Sequence, residues 1–318
     1  MIEQTDLMKL LESYKIDYKK VMTDKVLDKG EYFGIKHVLE YLVNEVGIFP
    51  KNIEKCPSIL YLNVNEVRKN YEFLKQQKIN INDVETCLHV LSTDNKDLKE
   101  TYYYVLENYG LMTVNRTTSI LRCNKDRIID IEKYGLSKDV TISASISRRT
   151  IYEIEEIIKI CKKYNIEITG TVFRQSAGEI EKIIEICKKY NIEITGTVFL
   201  KKSSSLQKTI DFIIENYDER YLTPLIIIKE PKHLSEVMPY LDSLGVLEFI
   251  INSASILTLT KEEIEKRVEI IKLLGEDIVK NGKFNSVFGM NKTRLNKKLN
   301  SYKDNDVIYP LIEDYIVK

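Results

Sequence analysis

The sequence predicts an all-α fold, an α-solenoid built as a superhelix of short helical repeats of 26–31 residues. Three observations carry that expectation. Residues 153–173 (EIEEIIKICKKYNIEITGTVF) return 26 positions later at 179–199 (EIEKIIEICKKYNIEITGTVF) with only two Glu/Lys exchanges. Self-similarity at a fixed period of about 20–50 residues is the mark of a stacked array. A short hydrophobic tag recurs along most of the chain, beginning at Ile59, Val90, Ile120, Ile146, Val172, Val198, Ile226, Ile256 and Val287, with spacings of 31, 30, 26, 26, 26, 28, 30 and 31. Four residues after many of these anchors stands a helix-capping residue: Asn63, Asp94, Asn124, Thr150, Ser176, Thr260 and Asn291.

The elements follow in order. Residues 1–45 read as an N-terminal helical cap. Its first helix, within 1–25, carries Leu7, Leu10, Leu11 and Tyr14 at helical spacing, and a second, from Ile35 to Val46, carries Val38, Leu39, Leu42 and Val43. Residues 46–300 form the repeat array, and 301–318 a C-terminal cap or tail. Each cap's side-chain oxygen accepts from the unpaired N–H groups of a helical first turn. Thr150/Glu153, Ser176/Glu179 and Thr260/Glu263 have the spacing of capping boxes. After Ile226 the cap slot holds Glu230, followed by Pro231, a good first-turn residue. The repeat helices then carry apolar residues on one face, as in Ile154, Ile157, Ile158 and Cys161. They end in KKYNI, with Lys in the last turn and with Asn165 and Asn191 suited to a left-handed exit. The ITGTVF tags are β-branched, yet the equivalent pieces elsewhere (PSIL, SASIL, NSVF) are not strand-like, so each tag is expected to be a short helix or turn. No Gly/Ser linker divides the chain, which reads as one continuous domain.

Composition narrows the function classes. The chain has 48 basic and 48 acidic residues, so it is not strongly polycationic, although balanced totals can hide a local stripe. Five Cys (Cys56, Cys87, Cys123, Cys161, Cys187) show no CxxC pairing and read as small buried thiols. His37, His89 and His233 make no metal-ligand spacing. No run of 18 apolar residues exists, so no membrane span is expected. The first residues resemble neither a signal nor a transit peptide, and a cytoplasmic location is expected. No phosphate-binding glycine loop, nucleophile motif or metal cluster stands out, so neither an enzyme nor a cofactor is expected. The 20 Tyr, Tyr102–Tyr104, Tyr164 and Tyr190 among them, read as packing residues ahead of base-stacking ones.

Two stretches carry a resemblance. Residues 46–74 (VGIFPKNIEKCPSILYLNVNEVRKNYEFL) and 247–275 (LEFIINSASILTLTKEEIEKRVEIIKLLG) resemble the repeats of the mitochondrial transcription termination factor family, whose pattern is G-I-x-x-x-x-I-x-x-x-P-x-I-L and then a helix ending in F-L. Gly47, Ile48, Ile53, Pro57, Ile59, Leu60, Phe73 and Leu74 fit it, as do Ile250, Ile256, Leu257, Ile271 and Leu274, with Ala254 where proline is common. In period and pattern the resemblance covers roughly residues 30–300. It implies an α-helical solenoid that wraps duplex DNA, or in some members RNA, along a basic concave path. The central repeats depart from the family in being shorter and proline-free, and the whole chain in being neutral. The near-identical tandem modules are also similar, more weakly, to modular DNA readers in which each repeat reads one base.

The candidate binding residues form a ladder. Two and three positions after the central anchors stand Arg122, then Arg148 and Arg149, then Arg174, then Lys201 beside Lys202, then Lys229. At the chain ends the same slots hold Tyr61 and Leu62, Ser92 and Thr93, and Thr258 and Leu259. A cation beside a helix N-terminus suits a phosphate, because free N–H donors and the positive dipole end already favour an anion there. Backbone contacts of this kind give affinity and salt dependence with little sequence choice. The two copies stop agreeing at the loop after Phe173 (Arg174-Gln175-Ser176-Ala177-Gly178) and after Phe199 (Leu200-Lys201-Lys202-Ser203-Ser204), a pattern modular recognition would leave and ordinary loop drift would leave too. The stretch 280–303 adds Lys280, Lys283, Lys292, Arg294, Lys297, Lys298 and Lys303 without an acidic residue, with Lys292–Leu299 expected as a short basic helix capped by Asn291. The expected function is nucleic-acid binding, duplex DNA ahead of RNA, in transcription or replication control. A protein- or peptide-binding scaffold is the alternative, favoured by the neutral net charge, and single-stranded RNA binding the second.

Overall fold

The computed structural model describes residues 4–21, 32–79, 84–116, 118–305 and 307–315. It is an all-α protein; the strands among the described residues are one two-residue pair, Val279–Lys280 with Lys283–Phe284. Contacts group the chain into two compact units, 1–154 and 155–318, and the boundary along the sequence falls within the helix Ile151–Lys163.

In the first unit the opening helix Gln4–Ser13 ends at Lys15, which is left-handed (φ 59°), and Tyr18–Val21 follows. The rest of the expected opening helix, 1–3 and 22–25, lies outside the described residues. The second expected helix is α-helical only over Tyr32–Glu40 and then widens into a π-turn at Tyr41–Glu45. The repeat helices of this unit are Val64–Gln76, Asn95–Tyr109 and Lys125–Glu132. Those of the second unit are Ala177–Lys189, Ser203–Asn216, Pro231–Ser243 and Lys261–Leu273.

Most of the tags are short helical turns. Pro57–Tyr61, Thr118–Arg122, Val172–Arg174, Gly196–Leu200, Ala254–Thr258 and Ser286–Gly289 are 3₁₀ turns; Ala144–Ser147 and Pro224–Ile227 are short α turns, and Val90 lies in the helix Val84–Leu91. Every anchor is buried, from Ile59 at 0% exposure to Ile256 at 1%. Full burial of one such side chain stabilises by about 1.5–3 kcal/mol, which explains why the anchors recur while their neighbours vary. In the duplicated tags the packing is close: a Cβ at Gly196 would lie 2.8 Å from Thr169 Oγ1 of the preceding copy, so that position needs glycine.

The caps form as their chemistry dictates. Asn63, Asp94, Asn124, Ser176, Thr260 and Asn291 accept first-turn N–H groups. Thr150/Glu153 and Thr260/Glu263 close reciprocal capping boxes. Ser176/Glu179 closes only half of one. Ser176 accepts from Glu179 N, but the Glu179 carboxylate accepts from Ser203 N of the following repeat, where the cap slot holds Lys202 and offers no side-chain oxygen. That N–H donor holds the Glu179 carboxyl below the usual carboxylate range. The exits are equally regular. Asn165 and Asn191 are left-handed (φ 52°), and Ile166 and Ile192 N–H groups reach back to the Cys161 and Cys187 carbonyls at 2.8 Å, closing Schellman turns. Lys78, Gly245 and Gly275 play the same part after Val64–Gln76, Pro231–Ser243 and Lys261–Leu273.

Within each unit the repeats are joined by a polar clamp that local sequence rules do not specify. A short helical turn followed by extended residues leaves its last carbonyls without a helical partner, and burying them unpaired is costly. At seven of the nine anchors a side chain from the preceding repeat donates to such carbonyls. Asn70 Nδ2 donates to the Leu91 and Thr93 carbonyls (3.0 and 2.7 Å), Thr101 Oγ1 to Cys123 (2.8 Å), and Arg127 to Arg149. In the second unit Gln175 Nε2 donates to Phe199 (2.9 Å) and Lys201 (3.2 Å), Thr209 to Lys229 (2.9 Å), His233 to Leu257 (2.9 Å), and Arg267 to Val287 and Phe288 (2.5 and 2.7 Å). Asn70, Thr101, Gln175, Thr209 and Arg267 are among the few buried polar residues, so burial and clamping coincide. Gln175 sits just before its helix. The other donors lie three or seven residues after the cap, one turn apart on a single helix face.

Other side chains pack much as composition implies. Cys56, Cys123, Cys161 and Cys187 are free and buried, and burial pushes the Cys161 and Cys187 thiols up to about 11; the Cys87 side chain lies outside the described ones. Tyr102 is 2% exposed, and Tyr104 and Tyr109 donate to the two oxygens of Glu132 at 2.5 and 2.6 Å. Lys188 lies 4.3 Å over the ring of Tyr164, linking the KKYN exits of adjacent copies.

Candidate nucleic-acid interface

The tag geometry sorts the cation ladder into two sets. In a 3₁₀ turn three residues complete one revolution. The anchor and, in most tags, the residue after it face the core, so the next residue swings outward. That position holds Arg122, Arg148 and Arg174 in three successive tags, and all three are exposed. None of the three side chains makes a hydrogen bond or ion pair to a described residue, whereas Arg68 and Arg220, elsewhere on the surface, are held by Glu45 and Glu248.

The following position turns inward, and in five tags its carbonyl accepts from the clamp. Thr93, Cys123, Arg149, Lys201 and Lys229 stand there and accept from Asn70, Thr101, Arg127, Gln175 and Thr209. The side chains are correspondingly restrained. Arg149 is half-buried and pairs with Glu153 at 3.1 Å. Lys201 pairs with Glu230. Lys229 is half-buried, and desolvation together with the charge of Lys201 lowers its pKa. Sequence spacing alone grouped the two slots; the rotation of the tag separates free cations from committed ones.

Lys202 is exposed at the cap position of Ser203–Asn216. Beside it, an open groove of ≈360 Å³ is lined by Lys182, Glu185, Ile186, Lys189, Ser203, Ser204 and Gln207. The basic C-terminal helix forms as Lys292–Asn300, with Asn291 accepting from Arg294 N at 2.9 Å. Lys292, Arg294 and Lys297 are exposed, and Lys298 pairs with Glu276 at 2.8 Å.

The sequence reading missed the hairpin ahead of that helix. Val279–Lys280 pairs antiparallel with Lys283–Phe284, and Asn281 and Gly282 at its tip have φ of 54° and 71°. Two positive φ values define a type I′ turn, and the Asn-Gly dipeptide is its usual signal. The signal was present but lay between apolar runs too short to read as strands.

Among the described residues no cluster of His, Cys, Asp and Glu could hold a metal ion, and no helix is long and apolar enough to cross a membrane. An exposed guanidinium offers monodentate or forked N–H contacts to an anion, which is the chemistry of phosphate recognition. Compared with family models and with curated proteins, the chain matches none.

Proposed function

We propose that this chain is a non-enzymatic helical-repeat protein that binds nucleic acid through the outward tag position, duplex DNA ahead of RNA, and acts in transcription or replication control. The observation that carries the reading is the recurrence of a free, exposed arginine at one structural position in three successive tags, Arg122, Arg148 and Arg174. Solvated surface cations scatter; a cation fixed to the repeat recurs with it. Lys202 and the exposed Lys292, Arg294 and Lys297 extend the same chemistry, while Arg149, Lys201, Lys229 and Lys298 shape its surroundings through their pairing or burial. Continuous stacking of the repeats into a solenoid would set one such contact per repeat along a phosphate backbone. Neutral net charge does not oppose this reading, because a local ladder needs no overall excess of cations.

The test is filter binding of the whole chain to mixed-sequence duplex and to single-stranded RNA across a salt series. The expected result is linear loss of log affinity with log salt, at about 0.9 per phosphate contacted on duplex, and tighter binding to duplex than to RNA. Undetectable binding to either at low salt would remove the proposal.

A further inference from the structure

We infer that the hairpin and basic helix near the C-terminus form a second, self-contained grip on the phosphate backbone of duplex nucleic acid. The inference rests on the nucleic-acid reading but on none of the ladder arginines.

The charge distribution comes first. Residues 278–303 hold seven Lys or Arg and no Asp or Glu; the remainder of the chain then has 41 basic against 48 acidic residues, a formal net charge of −7. A chain that is neutral as a whole is therefore polarised, with seven of its positive charges gathered, without an acidic residue among them, in one short segment. Glu276 and Asp277 border that segment on one side and Asp304 on the other. Glu276 is already engaged by Lys298 and Asn285, each at 2.8 Å.

The local arrangement is unfavourable for a chain without a ligand. Lys280 and Lys283 stand directly opposite each other in the hairpin. Directly opposed like charges destabilise a strand pair. Lys292 and Arg294 occupy the first turn of their helix, where the dipole disfavours cations. Violations of local rules in a structure that otherwise obeys them mark functional positions. A polyanion lying across the tip would relieve the first, and one reaching the helix's first turn the second.

The platform beneath is firmly held. Buried Arg267 donates to the Val287 and Phe288 carbonyls, Asn285 caps Val287 N at 3.0 Å, and Phe284 stacks edge-on against Phe249 and Phe288 at 6.0 and 5.4 Å. The tip itself, Lys280-Asn281-Gly282-Lys283, is exposed at all four positions and carries no apolar side chain. Membrane-surface elements insert apolar groups beside their cations. A wholly polar tip with Asn and Lys donors suits a phosphate–sugar backbone instead.

The experiment uses the whole chain with a 20-base-pair mixed-sequence DNA duplex. The Lys280→Gln/Lys283→Gln variant is expected to lower the salt slope by about 2 and the affinity at 0.1 M salt on the order of fifty-fold. Its unliganded thermal midpoint should be unchanged or higher, because a repulsion is removed. Lys280→Arg/Lys283→Arg should keep the slope. A Gln variant with wild-type slope and affinity overturns the inference while leaving the ladder reading standing. A slope that depends on the hairpin but not on Arg122, Arg148 and Arg174 sustains the inference and removes the ladder. Hairpin-dependent binding to phosphatidylserine vesicles, without binding to duplex, overturns it in favour of a membrane partner.

Discussion

Replacing Arg122, Arg148 and Arg174 together by Gln is expected to lower the salt slope of duplex binding by about 3 and the affinity at 0.1 M salt on the order of a hundredfold or more. Each arginine is exposed and free of partners among the described residues, so its loss leaves no buried group unsatisfied. The folded state should therefore keep its denaturation midpoint, since surface substitutions away from structural features usually stay within about 0.5 kcal/mol. Arg149→Gln makes an instructive contrast. Arg149 is already paired with Glu153, so its loss should change the salt slope little. Salt-dependent binding measured beside urea unfolding of the same variants separates the two outcomes. An unchanged slope in the triple variant would mean that the outward tag position does not meet the phosphates.

The second large effect is on stability. Asn70→Ala should destabilise the first unit by about 2–4 kcal/mol, read from urea unfolding. The side chain is 1% exposed, donates to the Leu91 and Thr93 carbonyls, and accepts from Asn95 Nδ2 at 2.7 Å. Truncation strands these groups in a buried seam. Asn70→Leu, which keeps the volume, should lose nearly as much, because the carbonyls stay unpaired. A near-neutral Leu variant would show that Asn70 contributes packing and no clamp. By comparison, losing the exposed cap at Asn63 should cost about 1 kcal/mol.

What the sequence disclosed and what it withheld divide by range. The tags, caps and exits rest on residues a few positions apart, such as Thr260 with Glu263 or Asn165 after Lys162 and Lys163, and a local rule can read them. The clamp joins residues about a repeat apart, as in Asn70 with Leu91, and a polar residue on an apolar helix face shows no partner in one dimension. A trace of it was nonetheless present: Asn70, Thr101, Thr209 and Arg267 all stand seven residues after the cap slot, a periodicity of polar residues inside a periodicity of apolar ones. The ladder was legible as a set of cations. Its division into free and paired members depended on the rotation of each tag, which spacing alone does not report. Glu179 illustrates a subtler limit. Its capping-box spacing was correct, but the competing donor at Ser203 N lies in the next repeat and captured the carboxylate.

The central claim is that the outward tag position meets nucleic acid. Arginine-selective modification with phenylglyoxal, read by mass spectrometry with and without a mixed-sequence DNA duplex, tests it most directly. Arg122, Arg148 and Arg174 should react readily in the free chain and become protected by the duplex. Arg68 and Arg220, whose side chains are 42% and 51% exposed, should react equally in both. Equal reactivity of Arg122, Arg148 and Arg174 with and without bound duplex would contradict the account.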